Sequence, residues 1–158
     1  MIFVTAGTLH FPFTRLLAAV DALPGDEDVV LQCRANGARP TRARCFDDLP
    51  YDELVAYMRR ARVVVCHAGV GSVLTALANG KRPIAVPRLE RYGEAVDDHQ
   101  VPFGRRLAEA GLVTLVEDPA ELAAAVAAVP GGEPPPLGPR ALVDDLRATL
   151  AQLVAHSR

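Results

Sequence analysis

The feature that most constrains the fold is a buried-strand pattern that changes abruptly into a glycine-containing turn and then into a helix pattern. The unbroken apolar, mostly β-branched run at 63–66 is typical of a parallel strand covered on both faces. His67-Ala68-Gly69-Val70-Gly71-Ser72 follows, and good helix formers continue from Val73 to a stop at Asn79-Gly80. Unpaired N–H groups and the positive end of the macrodipole at a helix start favour an anion. The pattern therefore predicts a phosphate-binding turn.

A purely structural interpretation of this turn stays open, in which Gly69 and Gly71 only allow the strand and the helix to pack closely. Two other phosphate motifs do not fit. A dinucleotide fingerprint requires a third glycine where this chain has Leu74. A P-loop requires Gly-Lys-Ser or Gly-Lys-Thr, whereas Lys81 follows Gly80 at the far end of the predicted helix.

The composition is that of one ordinary globular domain. The chain has 158 residues, of which 50% are hydrophobic and 23% are charged. A net charge of −2 gives no general attraction to nucleic acid, so no nucleic-acid partner is expected and an anion site must be local. No run approaches the roughly 18 apolar residues of a membrane span, and we expect a cytoplasmic protein.

Strand-like apolar runs alternate with amphipathic helix-like runs, which predicts an α/β domain with a parallel sheet. The predicted strands are 2–5, 29–33, 44–46, 63–66, 83–87 and 112–116. The predicted helices are 13–23, 48–60, 73–79, 98–110 and 119–129. We expect residues 1–130 to form this domain, 131–139 to be a linker rich in proline and glycine, and 140–158 to be an amphipathic helix.

Ligands of open parallel sheets bind beyond the carboxyl ends of the strands, so the loops after the first, fourth and fifth predicted strands should converge. Gly7-Thr8-Leu9-His10 follows the first strand, and the loop after the fifth ends in Asp98-His99-Gln100. Asp98 is a suitable N-cap for the next helix, and these three residues alone fit simple capping and solvation.

Together these segments resemble the C-terminal, donor-binding domain of glycosyltransferase family 28. The matching residues are 4–8, Phe13, 15–17, 67–69, 71–72, 80–81, Pro83, 87–88, 93–94 and 98–100. The chain is especially similar to the short donor-binding subunits of two-subunit bacterial exopolysaccharide glycosyltransferases, which are related to the subunit that adds N-acetylglucosamine to dolichol-linked sugar. The resemblance implies a Rossmann-like parallel sheet flanked by helices, the C-terminal half of a GT-B glycosyltransferase.

The resemblance also implies a function. The chain would be the donor-binding catalytic subunit of an inverting, metal-independent UDP-sugar glycosyltransferase that needs no cofactor. A membrane-anchored partner subunit would bind the lipid-linked saccharide acceptor and hold this chain at the membrane. Because the sequence starts at the first strand of the donor domain, we expect that partner to be a separate protein and this subunit to be inactive without it.

The resemblance places Gly69, Gly71 and Ser72 at the diphosphate of the donor, with His67 orienting their loop or touching phosphate. The complete set of implied substrate-binding residues is Gly7, Thr8, His67, Ala68, Gly69, Gly71, Ser72, Thr75, Arg88, Glu94, Asp98, His99 and Gln100. Of these, His99 and Gln100 would meet the donor sugar or the diphosphate, and Arg88 and Glu94 would line the uracil or sugar side. The general base would come from the acceptor half, so no catalytic residue is assigned here.

Two departures from the family pattern leave alternatives open. Many relatives have a glutamate at the position of Thr75 to hold the ribose hydroxyls, and many have Gly-Thr-His-Glu where this chain has Gly7-Thr8-Leu9-His10. His10 is therefore only a candidate substitute. A non-catalytic nucleotide-sugar binding module that regulates a partner is the main alternative, and a UDP-sugar epimerase fragment is a third. Asp26-Glu27-Asp28 resembles a metal-holding Asp-x-Asp motif, but it precedes a strand and is expected to be a solvated turn at the opposite edge.

Overall fold

The protein is built around one sheet of six parallel strands. A computed structural model describes residues 1–34 and 39–130 of it. The strands pair in the order β3-β2-β1-β4-β5-β6. Their bounds are β1 Ile2–Thr5, β2 Val29–Gln32, β3 Arg44–Phe46, β4 Val63–His67, β5 Ile84–Val86 and β6 Thr114–Leu115. The predicted α/β class with a parallel sheet is confirmed.

Helices follow β1, β3, β4, β5 and β6 along the chain and cover both faces of the sheet. Their bounds are α1 Thr14–Asp21, α2 Tyr51–Arg60, α3 Val70–Ala78, α4 Gln100–Glu109 and α5 Leu122–Ala128, with short 3₁₀ helices at Glu90–Tyr92 and Pro119–Glu121. None of the helices in the described part of the chain has the length and apolar character needed to cross a membrane.

Successive residues of the central strands point to opposite faces, which divides the core. On one face Val4 and Val65 pack with apolar residues of α1 and α5. On the other face Phe3 and Val64 pack with residues of α2 and α3. All four side chains are at most 1% exposed, and each such burial contributes about 1.5 to 3 kcal/mol relative to exposure. The central strands are therefore a rigid base for the loops that follow them.

The helix starts differ from the predictions: α1 begins one residue late, and α5 begins three residues late because residues 119–121 form a 3₁₀ helix. Helix α2 begins at Tyr51 rather than at residue 48, because Pro50 is in an extended conformation at the N-cap and a proline disfavours helical conformation in the residue before it. Helix α3 begins at Val70 rather than at Val73, so part of the predicted loop is helical. Helix α4 begins at Gln100 rather than at Asp98. The predicted linker at 131–139 and helix at 140–158 lie outside the described residues.

Candidate functional site

The strand order places a crevice at the carboxyl ends of β1 and β4. From β1 the chain builds the sheet towards β3, then returns to the other side of β1 to form β4, β5 and β6. This reversal is the point at which open α/β sheets bind ligands, because the loops after the two central strands diverge there. Thr5 at the end of β1 is aligned with Cys66 of β4. The loops that begin at Ala6 and Ala68 therefore start side by side.

The start of α3 forms one wall of this crevice. Gly69 is its N-cap, and no side chain among the described residues caps it. Gly71 and Ser72 lie in the first helical turn, where backbone N–H groups have no partner within the helix. A Cβ added to Gly71 would have no neighbour within 4 Å, so the space above it is open. The arrangement provides oriented N–H groups, the positive end of a helix dipole, and room for an anion.

His67 fixes the geometry of this helix start. It is the last residue of β4, and its Nε2 lies 3.0 Å from the Ser72 hydroxyl oxygen. The ring lies between two glycines: a Cβ on Gly7 would be 2.5 Å from Nε2, and a Cβ on Gly69 would be 2.1 Å from Cε1. Gly7 also has a φ of +79°, a conformation that other residues adopt only with strain. These two glycines make room for the imidazole, a role the sequence pattern did not reveal.

The His67 ring is neutral at physiological pH. Burial and, to a smaller extent, the positive charge of Arg88 lower the pKa of His67 from 6.5 to about 4, although the nearby Gln100 amide partly opposes them. Its Nδ1 is buried and has no hydrogen-bond partner among the described residues. A neutral imidazole donates through one nitrogen and accepts through the other, so it can hold the Ser72 hydroxyl in one orientation without adding charge.

Arg88, the second residue after β5, joins the loop after β1 to the loop after β5 from beneath the surface. The residue is 2% exposed. Its Nη1 donates to the carbonyls of Phe11 and Glu94, both at 2.9 Å, and its Nη2 donates to the carbonyl of Ala6 at 2.7 Å. Burial lowers the pKa of Arg88 to about 10, with the Glu94 carboxylate partly opposing, so the group stays cationic at neutral pH. Its contacts support the loops, and its predicted place beside the uracil or sugar stays a prediction.

Glu94 holds the loop after β5 in a similar way. Its two carboxylate oxygens accept from Arg15 Nε at 2.9 Å and Arg15 Nη2 at 2.7 Å, and one of them also accepts from the backbone N–H of Leu89 at 3.1 Å. The Glu94 side chain is 2% exposed and that of Arg15 is 21% exposed. The Arg15 guanidinium also lies 4.5 Å from the centroid of the Tyr92 ring. The pair links α1 to the loop that borders the crevice.

Asp98, His99 and Gln100 have three different environments. The expected N-cap role of Asp98 is wrong, because α4 starts two residues later and the Asp98 carboxylate accepts instead from the N–H of Glu90 at 2.8 Å. His99 is exposed and its Nδ1 contacts the carboxylate of Asp97, which also accepts from the His99 N–H. Gln100 is buried, and its Oε1 accepts from the Arg88 N–H at 3.1 Å.

The remaining predicted site residues lie on the loop after β1, directly after β4 and within α3. Thr8 and the candidate His10 are exposed on the loop after β1, and Ala68 is buried directly after β4. The Thr75 hydroxyl donates to the carbonyl of Gly71 at 2.8 Å, so its proton is used within α3. Within residues 1–34 and 39–130, no group of three or more His, Cys, Asp or Glu side chains is placed to hold a metal ion.

A buried polar chain at the ends of β1 and β2 was missed by the sequence reasoning. The Thr5 hydroxyl donates to Gln32 Oε1 at 2.5 Å and accepts from the Gly7 N–H at 3.2 Å. Gln32 in turn donates to the Asp48 carboxylate at 3.4 Å. Thr5 and Gln32 are each 1% exposed. The available signal was a polar residue that ends each of two otherwise apolar strands.

Comparison with known proteins gives a consistent result. The family model of the glycosyltransferase family 28 C-terminal domain matches residues 1–131. The UDP-N-acetylglucosamine–N-acetylmuramyl-(pentapeptide) pyrophosphoryl-undecaprenol N-acetylglucosamine transferase of Ralstonia nicotianae is 33% identical over 111 residues, which cover 68% of this chain and 25% of that protein. The UDP-N-acetylglucosamine transferase subunit ALG13 of Yarrowia lipolytica is 41% identical over 56 residues, which cover 35% of this chain and 26% of that protein.

Solved structures support the fold. The calicheamicin glycosyltransferase CalG4 aligns with 98% of this chain and 38% of its own, with a TM-score of 0.57 and 20% identity. MurG of Acinetobacter baumannii aligns with 80% of this chain and 40% of its own, with a TM-score of 0.55 and 22% identity. This chain thus spans about a quarter of the length of its curated relatives and about two fifths of these structures. Because the family match extends over most of its length, the chain belongs to the glycosyltransferase family 28 C-terminal domain family.

Proposed function

We propose that this chain is the donor-binding catalytic subunit of an inverting, metal-independent UDP-sugar glycosyltransferase. The acceptor is a lipid-linked saccharide held by a membrane-associated partner, which also keeps this chain at the membrane. The observation that carries the proposal is the open start of α3 at the sheet's switch point, with the Ser72 hydroxyl oriented by a neutral His67. One of the two named relatives is an N-acetylglucosamine transferase and the other is a UDP-N-acetylglucosamine transferase subunit, which supports a UDP-sugar donor.

The diphosphate of the donor binds the first turn of α3 in this proposal. The N–H groups of residues 70–72 donate to phosphate oxygens above Gly71, where the space is open. When His67 donates from Nε2 to the Ser72 oxygen, the Ser72 proton is free to reach a phosphate oxygen as well. Oriented donors of this kind stabilise negative charge as it develops on the departing UDP, and they do so without a metal ion.

The reaction is a displacement at the anomeric carbon of the donor sugar. The acceptor hydroxyl oxygen forms a bond to that carbon while the bond from the carbon to the β-phosphate oxygen breaks, so the configuration inverts. The acceptor proton passes to a general base, which we place on the partner. This chain contributes the leaving-group side, with His99 and Gln100 near the sugar and Arg88 and Glu94 holding the loop that carries them.

Exposed apolar side chains support the existence of a partner at this edge. Single exposed apolar residues are ordinary, but several of them at one edge of a sheet favour an interaction surface. Among the described residues, six large apolar side chains are exposed, and five of them lie on the loop after β1, at the start of α3 or on the loop after β5. These five are Leu9, Phe11, Val70, Tyr92 and Val96. An acceptor-binding partner that covers this edge would bury them and close the crevice.

A non-catalytic nucleotide-sugar binding module is the second candidate. The observation in its favour is that the Thr75 hydroxyl donates to the Gly71 carbonyl of its own helix, which leaves it only acceptor capacity towards a ribose. Such a module would bind UDP-sugars through the same site and change the activity of a partner without transferring sugar.

Reconstitution separates the two candidates. The chain is co-expressed with a candidate acceptor-binding membrane protein, and transfer of labelled sugar from UDP-sugar to a lipid-linked acceptor is measured in the membranes. The proposal predicts transfer only when both proteins are present and loss of transfer with Gly71→Asp. A complex that binds UDP-sugar but transfers nothing to acceptors that its partner binds would favour the regulatory module.

A further inference from the structure

A second charged cavity lies at the other edge of the sheet. Its volume is about 480 Å³, and its lining includes Asp28 and Val29 at the start of β2, Arg44 at the start of β3, and Arg60 at the end of α2. Because all the strands are parallel, their amino ends face away from the carboxyl-end crevice. The cavity is therefore separate from the proposed donor site, and none of the roles assigned above involves it.

The cavity carries an excess of positive charge in a protein whose net charge is −2. Its charged side chains are three guanidinium groups, from Arg42, Arg44 and Arg60, and the single carboxylate of Asp28, which leaves an excess of two positive charges. In the described part of the chain, none of these three arginines has a carboxylate within ion-pair distance. Five other arginines do have one: Arg15, Arg34, Arg39, Arg62 and Arg105.

Neutral partners hold these guanidinium groups in place. Those of Arg44 and Arg60 lie 5.8 and 5.0 Å from the centroid of the Tyr57 ring, and Arg44 also donates to the Tyr57 hydroxyl. The Tyr57 ring is itself stacked on Phe3, with centroids 5.5 Å apart. Arg42 donates to the backbone carbonyl of Glu27 at 2.9 Å. The guanidinium groups are thus positioned by contacts that leave their charge uncompensated.

We propose that this cavity binds a phosphate-bearing anion. Guanidinium groups match the geometry of phosphate oxygens and are less strongly hydrated than ammonium groups, so a cluster of arginines favours this chemistry. The volume lies within the range of small-molecule sites. The phosphate belongs either to a soluble small molecule or to a lipid headgroup. This inference does not depend on the proposed transferase activity.

The test is a titration of the ¹⁵N-labelled full chain with inorganic phosphate, followed by NMR. The titration is done in the Gly71→Asp background, which removes the proposed diphosphate site. We expect saturable shift changes at the amides of residues 29, 44 and 57, and a weakening of at least about tenfold when Arg44→Gln and Arg60→Gln are combined. Arg59→Gln is the matched control, because Arg59 is on the same helix and contacts Asn79 instead of lining the cavity.

A second arm distinguishes the two sources of phosphate. The chain is sedimented with phosphatidylglycerol vesicles and, separately, with phosphatidylcholine vesicles. Binding to phosphatidylglycerol alone assigns the site to a lipid headgroup if the Arg44→Gln, Arg60→Gln variant loses that binding. Saturable phosphate binding without vesicle binding assigns it to a soluble ligand. Shifts that do not saturate, or equal weakening by Arg59→Gln, would show only general charge attraction and overturn the proposal. The variants should bind UDP like the parent chain when Gly71 is intact.

Discussion

At the scale of single residues, the conformation of the α3 start depends on one imidazole and the two glycines beside it. The His67 ring occupies the space that a Cβ on Gly69 would need, because that Cβ would lie 2.1 Å from the His67 Cε1. We expect Gly69→Ala to destabilise the protein by about 2 to 4 kcal/mol, since overpacking of this severity forces the ring or the backbone to move. Urea unfolding of the variant measures the effect.

A double-mutant cycle gives this prediction a specific control. If the clash with the ring is the cause, Gly69→Ala should cost much less in a His67→Ala background than in the parent chain. Equal costs in both backgrounds would place the effect in the backbone instead. Gly71→Ala is a matched variant of the same helix turn, and we expect it to be neutral or slightly stabilising because its Cβ meets open space and alanine favours a helix.

The low pKa of His67 predicts how stability depends on pH. Burial lowers the folded-state pKa from 6.5 to about 4, so between these values the unfolded chain binds a proton that the folded chain does not. The free energy of unfolding is unaffected by this group above pH 6.5 and decreases as the pH falls towards 4, by about 3 kcal/mol in total. The measurement compares the free energy of unfolding of the parent chain and His67→Gln at pH 7 and pH 4.5. A parallel pH dependence of the two proteins would contradict it.

At the scale of elements, one largely buried ion pair, Arg15 with Glu94, and backbone contacts hold the loop after β5 against α1. Arg15→Gln would leave the carboxylate of Glu94, only 2% exposed, without its hydrogen-bonded cation, and we expect a loss of about 3 kcal/mol. Arg105→Gln is the matched control, because Arg105 and Glu117 form an ion pair of similar geometry in which the side chains are 59% and 42% exposed. Its expected cost is below about 1 kcal/mol. Urea unfolding compares the two, and equal losses would contradict the assigned role of Glu94.

The helices and strands also show which structural features the sequence patterns could predict. The apolar β-branched run at 63–66 was sufficient to predict β4, because a strand buried on both faces admits few polar residues. The start of α2 was predicted three residues early although Pro50 was visible in the sequence. The capping role of Asp98 was also wrong, since its carboxylate is used by the N–H of Glu90, a contact that depends on how the loop folds back.

Within the candidate site, the sequence predicted the glycine-containing turn between β4 and α3 but not the residues that support it. The need for Gly7 next to His67 arises from a contact between the loop after β1 and the end of β4, which are about sixty residues apart in the chain. The carbonyls bound by Arg88 belong to Ala6, Phe11 and Glu94. Because every residue has a backbone carbonyl, the residue types do not reveal these acceptors. The pairing of Arg15 with Glu94 likewise spans 79 positions.

At the scale of the whole molecule, we expect a partner to cover the carboxyl-end edge of the sheet. Val96 is 71% exposed on the loop after β5 and makes a direct probe of that surface. We expect Val96→Asp to reduce sugar transfer by the reconstituted pair at least about tenfold, because an apolar contact would then bury an unpaired charge. The affinity of the isolated chain for UDP should not change.

Ala124→Asp is the control for this surface variant. It adds the same charge on the exposed side of α5, in the first turn, where a carboxylate is tolerated. Transfer should persist in this control. If the reconstituted pair with Val96→Asp transfers sugar as fast as the parent pair, the partner binds elsewhere.

The central claim is that the first turn of α3 binds the diphosphate of a UDP-sugar, and calorimetric titration of the purified chain with UDP and UMP tests it most directly. We expect UDP to bind more tightly than UMP. We also expect Gly71→Asp to weaken the affinity for UDP by more than about tenfold, because the new carboxylate repels the phosphates. Gly71→Asn, similar in shape and uncharged, should retain most of the affinity. Equal binding of UDP and UMP, or UDP affinity unchanged in a folded Gly71→Asp variant, would contradict it.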